Sequence, residues 1–173
     1  MSLTRLATIR CADEAETRGL AARLAPYLRR GDVLLLSGPI GAGKSVFARA
    51  LIQTRLGAAG RQEEVPSPSF TLVQVYDDAD TEIWHADLYR LGENADIAEL
   101  GLDEAFDRAI TIVEWPERMG AETPPGALHV TITPEPGEEA RLIGFASDDP
   151  GHWHKLGLAG PAADAKAESQ ADG

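Results

Sequence analysis

Lysine is scarce in this chain: three lysines stand against 13 arginines among 173 residues, and two of the three, Lys155 and Lys166, fall toward the C-terminus. Cysteine is scarcer still. A lone Cys11 allows no internal disulfide and excludes a cysteine metal site or a thiol redox pair, so it reads as a packed or idle thiol rather than a reactive one. Basic charge is also short, with 16 basic residues against 28 acidic and a formal charge of −12. Such a surface repels phosphate backbones, so strong direct binding of RNA or DNA is not expected of this chain alone. The same charge suits either a basic partner or simple solubility. No apolar run approaches the roughly 20 residues that cross a bilayer, and Met1 to Arg10 lacks the apolar stretch of a secretory signal. The expectation is a cytoplasmic protein with no membrane association.

The remaining composition suits one α/β core rather than two. Leu6 to Arg10 reads as a short strand, and Leu20, Ala21, Leu24 and Leu28 recur at helical spacing until Pro26 and Arg29-Arg30-Gly31 close the segment. Asp32 to Leu36 is a continuous apolar run of the kind buried on both faces of a sheet. After it, Val46, Phe47, Ala50 and Leu51 mark the inner face of a helix that ends near Gly57. Phe70 to Tyr76 and Glu82 to Tyr89 read as antiparallel neighbours joined through Asp77 to Thr81. Ile97 to Ala109 reads as one or two short helices broken around Gly101, and Ile110 to Val113 as a second buried strand. Leu128 to Thr133 and Arg141 to Ala146 form a last pair that completes the sheet. A single domain over 1–156 is therefore expected, with 157–173, rich in Ala, Gly and acidic residues, as a mobile tail.

Between the first apolar run and its helix lies Gly38-Pro39-Ile40-Gly41-Ala42-Gly43-Lys44-Ser45, which matches G-x-x-x-x-G-K-[ST]. Glycines let successive backbone N–H groups converge on phosphate oxygens. The helix N-terminus adds its dipole, Lys44 reaches the β- and γ-phosphates, and the Ser45 hydroxyl is a ligand for Mg²⁺. This composition yields roughly three chance matches per thousand chains of this length. Lys44 is also the only lysine before position 155, where arginine's wide fork would not fit a phosphate-sized loop. Gly38 to Ser45 and the adjoining Val46 are thus the expected ATP- or ADP-binding set.

Hydrolysis further requires acids around the metal and the attacking water. Asp87 and Glu114 each end an expected strand and would meet the nucleotide crevice if those strands run parallel to Val33 to Leu36. From the bare sequence either is equally a surface or salt-bridged acid. Val65-Pro66-Ser67-Pro68-Ser69 must be an extended loop, because its two prolines remove donors and fix φ. Ser67, Ser69 and Thr71 offer hydroxyls to a metal or γ-phosphate, against the plainer reading of a structural turn.

Together, Gly38 to Ser45, Pro66-Ser67-Pro68-Ser69-Phe70-Thr71-Leu72, His85-Ala86-Asp87-Leu88-Tyr89-Arg90-Leu91 and Glu114-Trp115-Pro116-Glu117 resemble the TsaE (formerly YjeE) family over about Leu20 to Ala146. The resemblance implies a P-loop NTPase-like three-layer α/β domain with a mixed, mostly parallel sheet flanked by helices. It implies an ATPase acting in the threonylcarbamoyladenosine modification of tRNA, with TsaB and TsaD as partners, TsaC in the same pathway, and tRNA met indirectly. It further implies catalytic roles for Lys44, Asp87 and Glu114, a place for Trp115 beside the nucleotide, and a metal shell drawn from Ser45, Ser69, Asp87 and Glu114. Ser45 and Ser69 stand where the family usually has threonine, and both keep the hydroxyl. Two other classes share the motif: a small-molecule kinase, for which a lid with arginines is hard to find since only Arg108 is basic between Leu91 and Ala109, and a non-hydrolysing nucleotide-sensing adaptor.

Overall fold

The computed structural model describes residues 2–91, 96–137 and 139–158. The chain opens with β1 (Thr4–Cys11), and Asp13 then caps α1 (Glu14–Leu24) by accepting the Glu16 N–H at 2.9 Å. Pro26 turns the helix end into a short 3-10 segment rather than breaking it outright. β2 (Val33–Ser37), α2 (Lys44–Ala58), β3 (Val73–Asp77), β4 (Glu82–Asp87), α3 (Leu102–Arg108) and β5 (Ile110–Glu114) follow. A 3-10 segment over Pro116–Glu122 leads to β6 (Leu128–Pro134), β7 (Arg141–Ser147) and the single-turn α4 (Pro150–Trp153).

The seven strands lie in the order β1-β7-β6-β2-β5-β4-β3. Neighbours β6, β2, β5 and β4 are parallel, while β3 and the β7 pairings are antiparallel. Because β1 is antiparallel to β7 and β7 to β6, β1 also points the way of the central four, so five of the seven strands share one direction. The β6–β7 hairpin does complete the sheet, but between β1 and β2 rather than at an edge.

Alternation along the buried strands divides the core in two. Leu34, Leu36, Ile110, Ile112 and Ile83 pack with Leu20, Leu24, Phe47, Leu51 and Ile52 of α1 and α2. Val33, Leu35, Val113 and Ala86 face Leu102 and Phe106 of α3 on the other side. Helices on both faces give three layers, and each fully buried Leu, Ile or Phe contributes about 1.5–3 kcal/mol. Cys11 is buried in the first of these cores, as a packed thiol should be.

Several expected boundaries shift. β1 is longer than Leu6 to Arg10, β3 starts at Val73 because Phe70 to Leu72 form a turn, and β4 stops at Asp87 rather than Tyr89. The domain also reaches past 156. Leu158 is buried in the larger core, and Trp153 is buried with its Nε1–H on the Gly126 carbonyl at 2.8 Å. Lys155, expected near a loose end, donates to buried Asp32 at 2.5 Å beside His152, whose Nε2 lies 2.7 Å from the same carboxylate. The rest of the expected tail lies outside the described residues.

Candidate functional site

Parallel pairing brings the C-terminal ends of β2, β4 and β5 to one edge of the sheet, with Asp87 directly opposite Glu114 in register. A strand's side chains alternate between faces. Ile112 and Ile83 face α2, so Glu114, two residues on from Ile112, and His85 and Asp87, two and four on from Ile83, share that face. The glycine loop between β2 and α2 lies above them.

The loop's shape depends on glycine at its first position. A Cβ on Gly38 would stand 2.5 Å from the Ile132 carbonyl oxygen and 3.1 Å from the Ala42 Cβ, so β6 leaves no room for one. At the other end Gly43, at φ +107°, is the N-cap of α2, and no side chain caps the helix there. The first-turn N–H groups of such a helix lack intrahelical acceptors and, with the dipole, favour an anion. Arg141 on β7 tethers the loop from behind: its Nε donates to the Ala42 carbonyl at 2.8 Å and its Nη2 to the Gly41 carbonyl at 3.4 Å.

Lys44 is 5% exposed and bends back to donate to the carbonyls of Gly38 and Pro39 at 2.5 and 2.9 Å. Its ammonium also lies 4.1 Å from the centroid of the Trp115 ring, close enough for a cation–π contact. Burial holds the ammonium below the usual lysine range, and the charges of Glu114, Glu117 and Asp87 pull it partly back. Trp115 follows β5 at φ +60°, a left-handed conformation that costs an aromatic residue about 1–3 kcal/mol. Tyr89 packs against it with ring centroids 4.9 Å apart.

The acids are tied to hydroxyls. Ser45 Oγ donates to Glu114 Oε1 at 2.8 Å, and Ser69 Oγ donates to Asp87 Oδ2 at 3.4 Å with Ser67 Oγ 2.8 Å behind it. Asp87 Oδ1 accepts the Tyr89 N–H at 3.0 Å. Glu114 is 1% exposed and Asp87 6%. A cleft of about 350 Å³ collects Ile40 to Val46, Ser69, Asp87, Tyr89, Glu114 and Trp115. This set holds most of the residues expected from sequence, with three adjustments. Gly38 and Pro39 turn carbonyls to Lys44 rather than line the cleft. Val46, read both as an inner-face position of the helix and as part of the expected nucleotide set, is half-buried and lines the cleft. Thr71 is exposed, accepts from Gln74 Nε2 at 2.9 Å and does not reach the acids.

Sequence reasoning missed two residues. His85 is fully buried with Nε2 2.7 Å from Glu114 Oε2; its signal was the two-residue spacing to Asp87, which puts both on one strand face. Arg141 carried no local signal, because only the sheet's strand order brings β7 behind the loop. Among the described residues no group of three or more His, Cys, Asp or Glu gathers to hold a metal. No described helix is long and apolar enough to cross a membrane.

The fold and site define a mixed α/β protein whose glycine loop feeds a helix N-terminus above two strand-end acids. Residues 11–143 match the family model described as threonylcarbamoyl adenosine biosynthesis protein TsaE. The chain belongs to the TsaE family. It is 34% identical to the tRNA threonylcarbamoyladenosine biosynthesis protein TsaE of Rickettsia conorii, over 79% of this chain and 85% of the relative. Against the protein of the same name in Bacillus subtilis it is 32% identical, over 80% and 84%. Its structure superposes on the crystal structure of Bacillus subtilis YdiB with a TM-score of 0.68 at 26% identity, covering 100% of this chain and 99% of that one.

Proposed function

We propose that this chain is the TsaE-type ATPase of tRNA threonylcarbamoyladenosine biosynthesis, a P-loop protein that binds TsaB and TsaD and supports their turnover by hydrolysing ATP with Mg²⁺. The observation that carries the reading is the convergence of Lys44, Ser45, Asp87 and Glu114 on one cleft, in a chain whose relatives bear that pathway's name.

In this reading the N–H groups of Gly41 to Ser45 cradle the phosphates, and Lys44 swings from its carbonyl contacts to the β- and γ-oxygens. Trp115 guides that swing by keeping the ammonium against its ring rather than in solvent. The oxygen donors fit Mg²⁺, which takes one or two carboxylates and a hydroxyl alongside phosphate oxygens and water. Ser45, Asp87 and Glu114 would hold it, with Ser69 supporting Asp87. When bound, the ion offsets negative charge on the triphosphate. Asp87 and Glu114, both lining the cleft beside the loop, orient water toward the γ-phosphate. The chain's −12 charge suits a role in which tRNA is held mainly by other subunits in the cytoplasm.

The test is ATP turnover by the purified protein with and without TsaB and TsaD. Slow hydrolysis, stimulated by the partners and nearly abolished by Lys44→Ala, is expected. Transfer of labelled γ-phosphate to a metabolite, with no stimulation by the partners, would assign a kinase instead.

A further inference from the structure

We propose that His85 is a positioning residue: it fixes the Glu114 carboxylate so that one oxygen faces Ser45 and the metal side of the cleft. The inference rests on the ATPase reading of that cleft but adds a residue to which neither the motif nor the family match gives a role.

Glu114 has two oxygens with different partners. Oε1 accepts from Ser45 Oγ at 2.8 Å, and Oε2 lies 2.7 Å from His85 Nε2. A carboxylate offers only acceptors, so the imidazole donates from Nε2. The three side chains form one line, His85 to Glu114 to Ser45, which ends at the first turn of α2. Removing His85 would free the carboxylate to rotate about its last torsion, and the oxygen facing Ser45 would no longer be set.

Packing alone does not call for an imidazole at 85. The side chain is fully buried, and its Nδ1 has no hydrogen-bond partner. An aliphatic side chain would fill the same volume without desolvating a polar ring. His85 also lies two residues before Asp87 on β4, and β4 is anchored along its length to β5. The ring's position is therefore set by the same sheet that places both acids, which is what a positioning group requires.

Two polar variants separate this role from a structural one. Gln carries its amide nitrogen the same number of bonds from Cβ as the imidazole Nε2, so His85→Gln can still donate to Glu114. Asn carries its nitrogen at the Nδ1 distance, so His85→Asn keeps a buried polar group but cannot reach. Three readouts are compared in the full-length protein: steady-state ATP hydrolysis, affinity for a fluorescent ADP analogue in EDTA, and the Mg²⁺ concentration that half-saturates the enhancement of that affinity.

His85→Asn is expected to lower kcat at least tenfold, to raise the half-saturating Mg²⁺ several-fold, and to leave affinity in EDTA within about twofold of wild type. His85→Gln is expected to recover most of both losses. Equal behaviour of the two variants would overturn the proposal: equal to wild type makes His85 a core filler, and equally impaired with lost affinity in EDTA makes it a folding determinant. If wild type shows no ATPase activity, the proposed function fails. The Mg²⁺ dependence of ADP binding then still decides the role of His85.

Discussion

Replacing Gly38 by alanine tests the construction of the glycine loop without touching any charged group. The added Cβ would lie 2.5 Å from the Ile132 carbonyl oxygen, a distance no real Cβ tolerates, and 3.1 Å from the Ala42 Cβ. The oxygen belongs to β6, which pairs with β2 on one side and β7 on the other, so it cannot retreat. The loop must move instead, and alanine must also adopt a φ near the +155° that glycine holds here. Overpacking and backbone strain together cost about 2–5 kcal/mol. For a chain of this size each kcal/mol lowers Tm by about 2–4 °C, so a fall of roughly 5–20 °C is expected in thermal unfolding. Because displacement of the loop misaligns its N–H groups, ADP affinity should fall at least tenfold at temperatures where the variant is fully folded. Wild-type Tm together with wild-type ADP affinity would refute the claim that β6 sets the loop's shape.

Asp87→Ala and Glu114→Ala should each retain nucleotide binding within a few-fold while losing turnover by at least a hundredfold, measured by calorimetry and phosphate release; unchanged turnover would remove that acid from the mechanism. A third prediction concerns the β3–β4 turn. Burial would raise the Asp78 carboxyl, but the N–H groups of Thr81 and Asp80 and the Arg55 guanidinium, 2.6 Å away, outweigh it and hold the group below the usual aspartate range. A carboxyl lower in the folded than in the unfolded state stabilises the fold fully above the ordinary aspartate value, and that stabilisation is lost as pH falls toward the folded value. Asp78→Asn should therefore lower Tm at pH 7 and flatten its dependence on pH below about 4, and a Tm profile parallel to wild type over that range would sink the assignment.

The glycine loop was legible because its signal is local: glycine spacing, a preceding apolar run and a following helical period lie within one stretch of chain. Strand ends were nearly as plain, since Glu114 follows four consecutive β-favouring residues and Asp87 follows the β-rich segment Ile83-Trp84-His85-Ala86. What failed was judgement of environment. Val46 was read both as an inward helix position and as part of the loop's expected binding set, and the helix start leaves it half-buried at the cleft; Thr71 looked like Ser69, yet the turn before β3 points it elsewhere.

Steric limits and side-chain periodicity act between near neighbours, so the glycine-loop motif, two strand-end acids and an α/β core can be read along the chain. That those acids meet the loop follows from the packing of the sheet. Ser45 and Glu114 are 69 residues apart in the chain, and His85 and Glu114 are 29 apart. Their contacts exist because parallel pairing of β2, β5 and β4 aligns three strand ends. The same sheet order slips β6 and β7 behind the loop, where Ile132 demands glycine at 38 and Arg141 holds the carbonyls of Gly41 and Ala42. Such register and strand order depend on the summed burial of two core faces, a quantity no local motif encodes.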